Sequence, residues 1–296
     1  MTDLLQRIDS GEILITDGAM GTMLFERGLE SGQCPERLNL DRIDILEDIA
    51  KSYLKAGADI VQTNTFGGSP LKLALYSLDA RTEEINRNAV RAVRNAVGHA
   101  AYVSASCGPC GMLLLPYGDA APDDVLLGFE RQLEAITAEG VDMICIETMI
   151  DLGEATLAIK AAKRIAPSIP IAATMTFDST PKGFFTIMGV SIQQAVDGLT
   201  EAGADILGSN CGNGIENMVK IAVEYRRRTE LPLIIQSNAG LPEMQDGKLI
   251  YRESPEFMAE NCRLLIDAGV SIIGGCCGTT PAHISAFRRV VDSLRS

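Results

Sequence analysis

One pattern occurs four times along this chain: "KAGADIVQTNTF" from Lys55, "AEGVDMICIETM" from Ala138, "EAGADILGSNCG" from Glu201 and "DAGVSIIGGCCG" from Asp267. Each copy runs from a helix tail into a Gly, then a small residue, then Asp or Ser, then an apolar run. Gly at that place supplies the left-handed backbone that ends a helix. The β-branched apolar run suits a strand buried on both faces of a parallel sheet. Each copy is therefore a helix feeding a strand.

Four further apolar runs fit between the copies: Ile13 to Gly18, Ala101 to Cys107, Ile169 to Phe177 and Leu231 to Gly240. Helical patterns separate the runs, among them Thr82 to Val97, Asp123 to Glu139, Leu152 to Ile165, Ile215 to Arg228 and Pro255 to Ala268. Eight βα units in 296 residues predict an α/β chain folded as a single-domain (β/α)₈ TIM barrel over 1–296, in preference to an open doubly wound sheet. With 46% hydrophobic residues, no Trp and few aromatics, the core must be aliphatic and rich in Ala and Gly.

A net charge of −13 repels phosphate backbones and anionic lipids, which argues against nucleic-acid and membrane partners. The N-terminal "MTDLLQRIDSGE" lacks the apolar core of a secretory signal. No apolar run approaches the ~20 residues that span a bilayer. The expected location is cytoplasmic, with the eight cysteines reduced. There, clustered Cys point to metal or catalysis more than to structural disulfides.

The expected strands end at Asp17, Asn64, Ser106 with Cys107, Glu147, Thr176, Asn210 with Cys211, Asn238, and Cys276 with Cys277. In a barrel these ends converge on the C-terminal face. Loop polarity accounts for Asn and Thr there, but not for a Glu and a set of thiols. Cys211 and the Cys276–Cys277 pair are separated by the seventh strand alone. Adjacent strand residues point opposite ways, but Gly274, Gly275 and Gly278 allow the backbone to turn both sulfurs inward. Three thiolates around one point, with a fourth position open, suit a catalytic zinc.

Other readings of these residues stay open. The neighbouring thiols suit a strained vicinal disulfide or plain packing. His283 is close enough in sequence to ligate, although its place after Pro281 puts it a turn into the last helix, facing away. His99 belongs at the far end of the barrel. "CGPC", Cys107 to Cys110, has the spacing of a redox dithiol, but loop-like "GMLLLPYGD" follows where a helix would be needed. The plainer reading is a tight loop over the barrel mouth.

Seven segments carry a resemblance: "TDGAMGT" from Thr16, "AGADIVQTNTFGG" from Ala56, "ETMID" from Glu147, "MTFD" from Met175, "SNCG" from Ser209, "SNAGLP" from Ser237 and "GGCCGTTP" from Gly274. The chain resembles the homocysteine S-methyltransferase family over essentially its whole length. Within it, the chain is most similar to the homocysteine-binding module of cobalamin-dependent methionine synthases. The resemblance implies a (β/α)₈ barrel in which Cys211, Cys276 and Cys277 hold zinc and Asn238 lies near the metal. It implies that Glu147 and Asp17 take the substrate ammonium, and that the N–H groups of Gly18 and Ala19 take its carboxylate. The implied reaction methylates the thiol of L-homocysteine to give methionine. "GGCCGTTP" and "SNAGLP" lean towards methylcobalamin as donor rather than S-methylmethionine or betaine. A chain stopping at Ser296 leaves no room for corrinoid-binding modules, so the expected donor is a methylated corrinoid on a separate protein. Three readings compete with this one. They are a small sulfonium or ammonium donor, a non-catalytic homocysteine- or zinc-binding subunit of a larger methyl-transfer assembly, and a thiol-redox protein built on Cys107 and Cys110.

Overall fold

The computed structural model describes residues 3–245 and 248–294. The first two residues of the charged N-terminal stretch and the last two of the chain lie outside the described residues. Eight parallel strands form one sheet: β1 (Leu14–Ile15), β2 (Ile60–Gln62), β3 (Tyr102–Cys107), β4 (Met143–Met149), β5 (Ile171–Met175), β6 (Ile206–Asn210), β7 (Leu233–Ser237) and β8 (Ile272–Gly275). Their spatial order is β1-β8-β7-β6-β5-β4-β3-β2. A parallel bridge between Thr16 and Ile60 joins the two ends, so the sheet closes into a ring. The helices that follow each strand are α1 (Ile43–Lys55), α2 (Thr82–Val97), α3 (Pro122–Thr137), α4 (Leu152–Ile165), α5 (Ile192–Ala202), α6 (Ile215–Arg226), α7 (Pro255–Asp267) and α8 (Pro281–Ser293). The molecule is a TIM barrel, and each apolar run of the sequence holds one of its strands.

The repeated Asp has a structural task. Asp59 accepts from the Ile15 N–H at 2.9 Å, Asp142 from Val103 at 2.8 Å and Asp205 from Ile171 at 2.9 Å. Each Asp, just before an even-numbered strand, thus holds the preceding odd-numbered strand by its backbone. Each is balanced by a cation: Arg288 and Arg7 on Asp59, Arg94 on Asp142, Lys163 on Asp205. The fourth copy carries Ser271, whose backbone alone makes the link, to Leu14 and Leu233.

Strand alternation sorts the interior into layers. At the bottom, Leu14, Ile60, Tyr102, Met143, Cys145, Ala172, Ile206, Ile234 and Ile272 form an apolar cluster with Leu4 and Ile8 of the N-terminal helix Leu4–Asp9. That helix is the barrel's lower plug. Two residues further along the strands the interior turns polar, with Thr16, Gln62, Ser104, Thr174 and Gln236. One step higher stand Ser106, Glu147, Asn210 and Cys276. The opposite strand faces pack on the helices in a larger cluster, mostly aliphatic as composition required. Two short antiparallel hairpins, Asp178–Thr180 with Gly183–Phe185 and Glu243–Gln245 with Lys248–Ile250, extend the loops after β5 and β7. Neither stands out in the sequence pattern. No helix among the described residues is long and apolar enough to cross a membrane.

Candidate active site

The top interior layer opens into a cavity of ≈ 270 Å³ lined by Asp17, Gly18, Gln62, Glu147, Cys211 and Cys276, among others. A larger hollow of ≈ 360 Å³ lies on the outer surface between Cys34, Arg37 and Tyr76, away from these groups.

Three thiols meet at the cavity floor. The sulfurs of Cys211, Cys276 and Cys277 all lie within 4.8 Å of one another, and Cys211 Sγ is 3.8 Å from Cys277 Sγ. Two local backbone features bring this about. Cys211 follows the end of β6 with φ +59°, a left-handed conformation that is uncommon outside Gly and costs about 1–3 kcal/mol. After β8, the Thr279 N–H donates to the Cys276 carbonyl at 3.1 Å, closing a four-residue turn with Gly278 at φ +80°. The turn reverses the chain, so the strand rule that would separate neighbouring side chains stops at Gly275. Gly278 also leaves room for the Tyr251 ring. A Cβ there would sit 2.1 Å from Tyr251 Cγ. The Tyr251 hydroxyl lies near the Cys277 sulfur.

The donor set fits a soft divalent cation. Zn–S bonds of about 2.3 Å on tetrahedral vertices put sulfurs about 3.8 Å apart, which is the Cys211–Cys277 separation. The three thiols also behave as one unit. Hydrogen bonds from Cys276 and Cys277 pull the Cys211 thiol far below its ordinary range, towards thiolate, and leave those two donors protonated. Asn238, just after β7, lies near Cys211, and its buried Oδ1 has no hydrogen-bond partner. An orphaned acceptor beside three sulfurs suits a cation.

Two carboxylates complete the floor. Asp17 accepts from the Gln62 N–H at 2.8 Å and from the Thr16 hydroxyl at 3.3 Å. Glu147 accepts from the Ser106 hydroxyl, and from Gln62 Nε2 and Asn210 Nδ2 at 3.4 Å each. Burial raises both carboxyls to about 7, and for Asp17 the nearby Glu147 charge adds to it. Such a pair gains when a cationic ligand enters.

Other expected residues are placed differently. Gly18 lines the cavity, but the Ala19 N–H is already held by Thr279 Oγ1 at 3.1 Å, and the Ala19 carbonyl by the Tyr53 hydroxyl at 2.8 Å. A carboxylate at Ala19 would have to displace or share that hydroxyl. Asn64 lines the cavity, with its side-chain amide held by Asn39 Oδ1 and the Pro35 carbonyl, both at 2.9 Å. Cys107 points out of the barrel to Gln132 of α3. Cys107 and Cys110 are both buried, and desolvation raises both thiols. That is the reverse of what a reactive dithiol needs. His283 caps α8 through Thr280 and contacts the Glu253 carbonyl at 3.0 Å with its other nitrogen, so it faces away from the sulfurs. His99 is exposed just after α2.

Sequence reasoning did not single out Gln62, and it gave no role to Ser106, Thr148, Asn210 or Tyr251, although Ser106 and Asn210 stand among its strand ends on this face. The first two and Asn210 sit at inward positions two residues from other inward residues, so alternation alone could have found them. Nothing local marks Tyr251, which arrives from the hairpin loop.

A family profile described as homocysteine S-methyltransferase matches residues 14–291. The chain belongs to the homocysteine S-methyltransferase family. Among relatives, the methionine synthase of Mycobacterium tuberculosis is 31% identical over 313 aligned positions, covering 99% of this chain and 26% of the relative. That of Mycobacterium leprae is 30% identical, covering 96% of this chain and 24% of the relative. This member of the family therefore spans about a quarter of the length of the curated relatives it matches. Among solved structures, the metallated homocysteine methyltransferase MmuM of Escherichia coli superposes with a TM-score of 0.80 over 99% of both chains at 22% identity, a likeness of fold.

Proposed function

We propose that this chain methylates the thiol of L-homocysteine to give methionine, with zinc held by Cys211, Cys276 and Cys277. The observation that carries the reading is the meeting of three thiols from β6 and β8 beside two buried carboxylates in one cavity. Zinc so held supplies a position for the substrate sulfur and favours its thiolate form, since a coordinating thiol is deprotonated. Glu147 and Asp17, short of solvation, take the substrate ammonium, which gives back the charge compensation that burial removed. The Gly18 turn faces the carboxylate end. Asn238 orients Cys211. With amine and sulfur both held, the substrate presents its sulfur to the open mouth in a fixed direction, and alignment lowers the barrier to methyl transfer.

The donor that suits the sequence resemblance is a methylated corrinoid, carried by a separate protein. S-methylmethionine and betaine are the alternatives, and a non-catalytic homocysteine-binding subunit is the reading from another class. One set of measurements separates them. Metal analysis should find about one zinc per chain in the protein and a small fraction of that in Cys276→Ser and Cys277→Ser. Methionine formation is then followed with methylcobalamin, S-methylmethionine and betaine in turn, and with a methylated corrinoid protein. Full zinc retention in both variants removes the ligand set. No turnover with any donor favours the binding subunit.

A further inference from the structure

Asn210, the last residue of β6, has no exposed surface. Its Oδ1 accepts from the Thr148 N–H and from the Thr174 hydroxyl, each at 2.7 Å. A backbone N–H can only donate, so the amide oxygen is fixed on that side. The amino group must face the other way. It donates to Thr148 Oγ1 at 2.8 Å, with Glu147 Oε2 at 3.4 Å and Cys276 Sγ at 3.9 Å. One buried amide thus touches the carboxylate and the sulfur at opposite ends of the proposed substrate site.

The same amide holds the backbone that places them. Thr148 has φ +60°, a strained conformation for a β-branched residue, and β4 slips register there between Ile146 and Met149. The hydrogen bond from the Thr148 N–H to Asn210 pins that irregularity directly beside Glu147. On the other side, the Asn210 carbonyl accepts from the Thr176 hydroxyl at 2.9 Å, just before the left-handed Cys211. The β4, β5 and β6 ends are therefore tied through one residue.

We propose that Asn210 is a positioning residue that fixes the distance between the Glu147 carboxylate and the Cys276 sulfur, and so sets the length of amino-thiol the site accepts. This rests on the homocysteine reading. Two methylenes separate sulfur from the amine-bearing carbon in homocysteine, and one does in cysteine. A site with its amine and sulfur contacts at fixed spacing discriminates between them; with loose spacing it does not.

The test is calorimetric binding to zinc-loaded wild type, Asn210→Asp and Asn210→Ser, using L-homocysteine, L-cysteine and 4-mercaptobutyrate, which is homocysteine without its amine. Asn210→Asp keeps an acceptor for Thr148 and Thr174 but replaces the donor with a carboxyl that adds negative charge beside Glu147 when ionised. Asn210→Ser removes donor and acceptor without adding charge, so the Ser variant carries the comparison and the two together separate loss of the donor from added charge. Both variants are expected to keep their zinc. Homocysteine should bind at least about tenfold more weakly, a loss of about 1.4 kcal/mol. 4-Mercaptobutyrate should change far less, because it makes no contact with Glu147 to lose, and the preference for homocysteine over cysteine should shrink. Unchanged homocysteine affinity, equal losses for homocysteine and 4-mercaptobutyrate, or loss of zinc in both variants would each overturn the proposal. Zinc-loaded wild type that binds no homocysteine would instead overturn the functional reading, and this inference with it. That result is read before any variant is made.

Discussion

Asp17 and Glu147 are carboxylates placed where water hardly reaches, and each has too few donors to make ionisation easy. Their folded values, about 7, stand above the ordinary 3.8 and 4.5. A raised value means the folded state holds protons that the unfolded state has given up. The stability these protonated groups contribute is complete below about pH 4 and is lost as pH rises through about 7. The contribution of these two carboxyls therefore falls between pH 5.5 and pH 8 in the protein free of metal and substrate, while Cys211, pulled towards thiolate, contributes in the opposite direction. Glu147→Gln should remove its share of that fall and raise stability at pH 8 by on the order of 1–2 kcal/mol. Homocysteine affinity should move the opposite way, rising between pH 6 and pH 8 in the wild type and falling at least about tenfold in the variant. A Glu147→Gln protein with an unchanged pH slope and normal homocysteine binding would show that Glu147 carries neither effect. Thiols obey the same logic at this scale: Cys211 is pulled towards thiolate by two donors, whereas Cys107 and Cys110, of the same residue type, are made inert by burial.

At the scale of elements, the sulfur cluster depends on the turn between β8 and α8. Gly278 there is at φ +80° with the Tyr251 ring 2.1 Å from where a Cβ would be. Gly140, before β4, has nearly the same φ, +79°, and nothing within 4 Å of its Cβ position. The pair separates backbone strain from crowding. Gly140→Ala should cost about 1–2 kcal/mol in urea denaturation and leave zinc content alone. Gly278→Ala should cost a further 1–3 kcal/mol, about what overpacking adds, and should lower zinc content, because Tyr251 and Cys277 must move together. Equal costs with full zinc in both variants would show that Tyr251 yields without disturbing the sulfurs. The helices were read from periodicity, and two of the named spans, Thr82 to Val97 and Leu152 to Ile165, match to the residue. The two hairpins escaped notice because three-residue strands carry too little pattern to separate from loop.

For the whole molecule the weak place is the seam. Elsewhere neighbouring strands share at least two ladder pairs, but β1 and β2 meet through the one Thr16–Ile60 bridge. Asp59 supports that seam by gripping the Ile15 N–H while Arg288 of α8 and Arg7 of the N-terminal helix grip Asp59. Asp205 does the same for β5 and β6, where a four-pair ladder shares the load. Asp59→Ala should therefore destabilise by about 2–3 kcal/mol, in the range for bonds to charged groups, and Asp205→Ala by less. Chemical denaturation of the two variants decides this. A larger loss for Asp205→Ala would place the weak point elsewhere in the ring.

The sequence by itself determined the eight strands, the helices between them, and the short set of residues from which the site is drawn. Those features rest on local periodicity and on chemistry carried by single residue types. Which strand-end residues face each other was decided only by closing the ring. Closure turns Cys107 outward, ties Asn64 to Asn39 and Pro35, brings Asn210 into contact with Glu147 and Cys276, engages the Ala19 N–H with Thr279, and lays Tyr251 over Gly278. Each of these contacts joins residues far apart in the chain. Their positions follow from strand stagger and loop paths, which depend on the packing of all eight units at once.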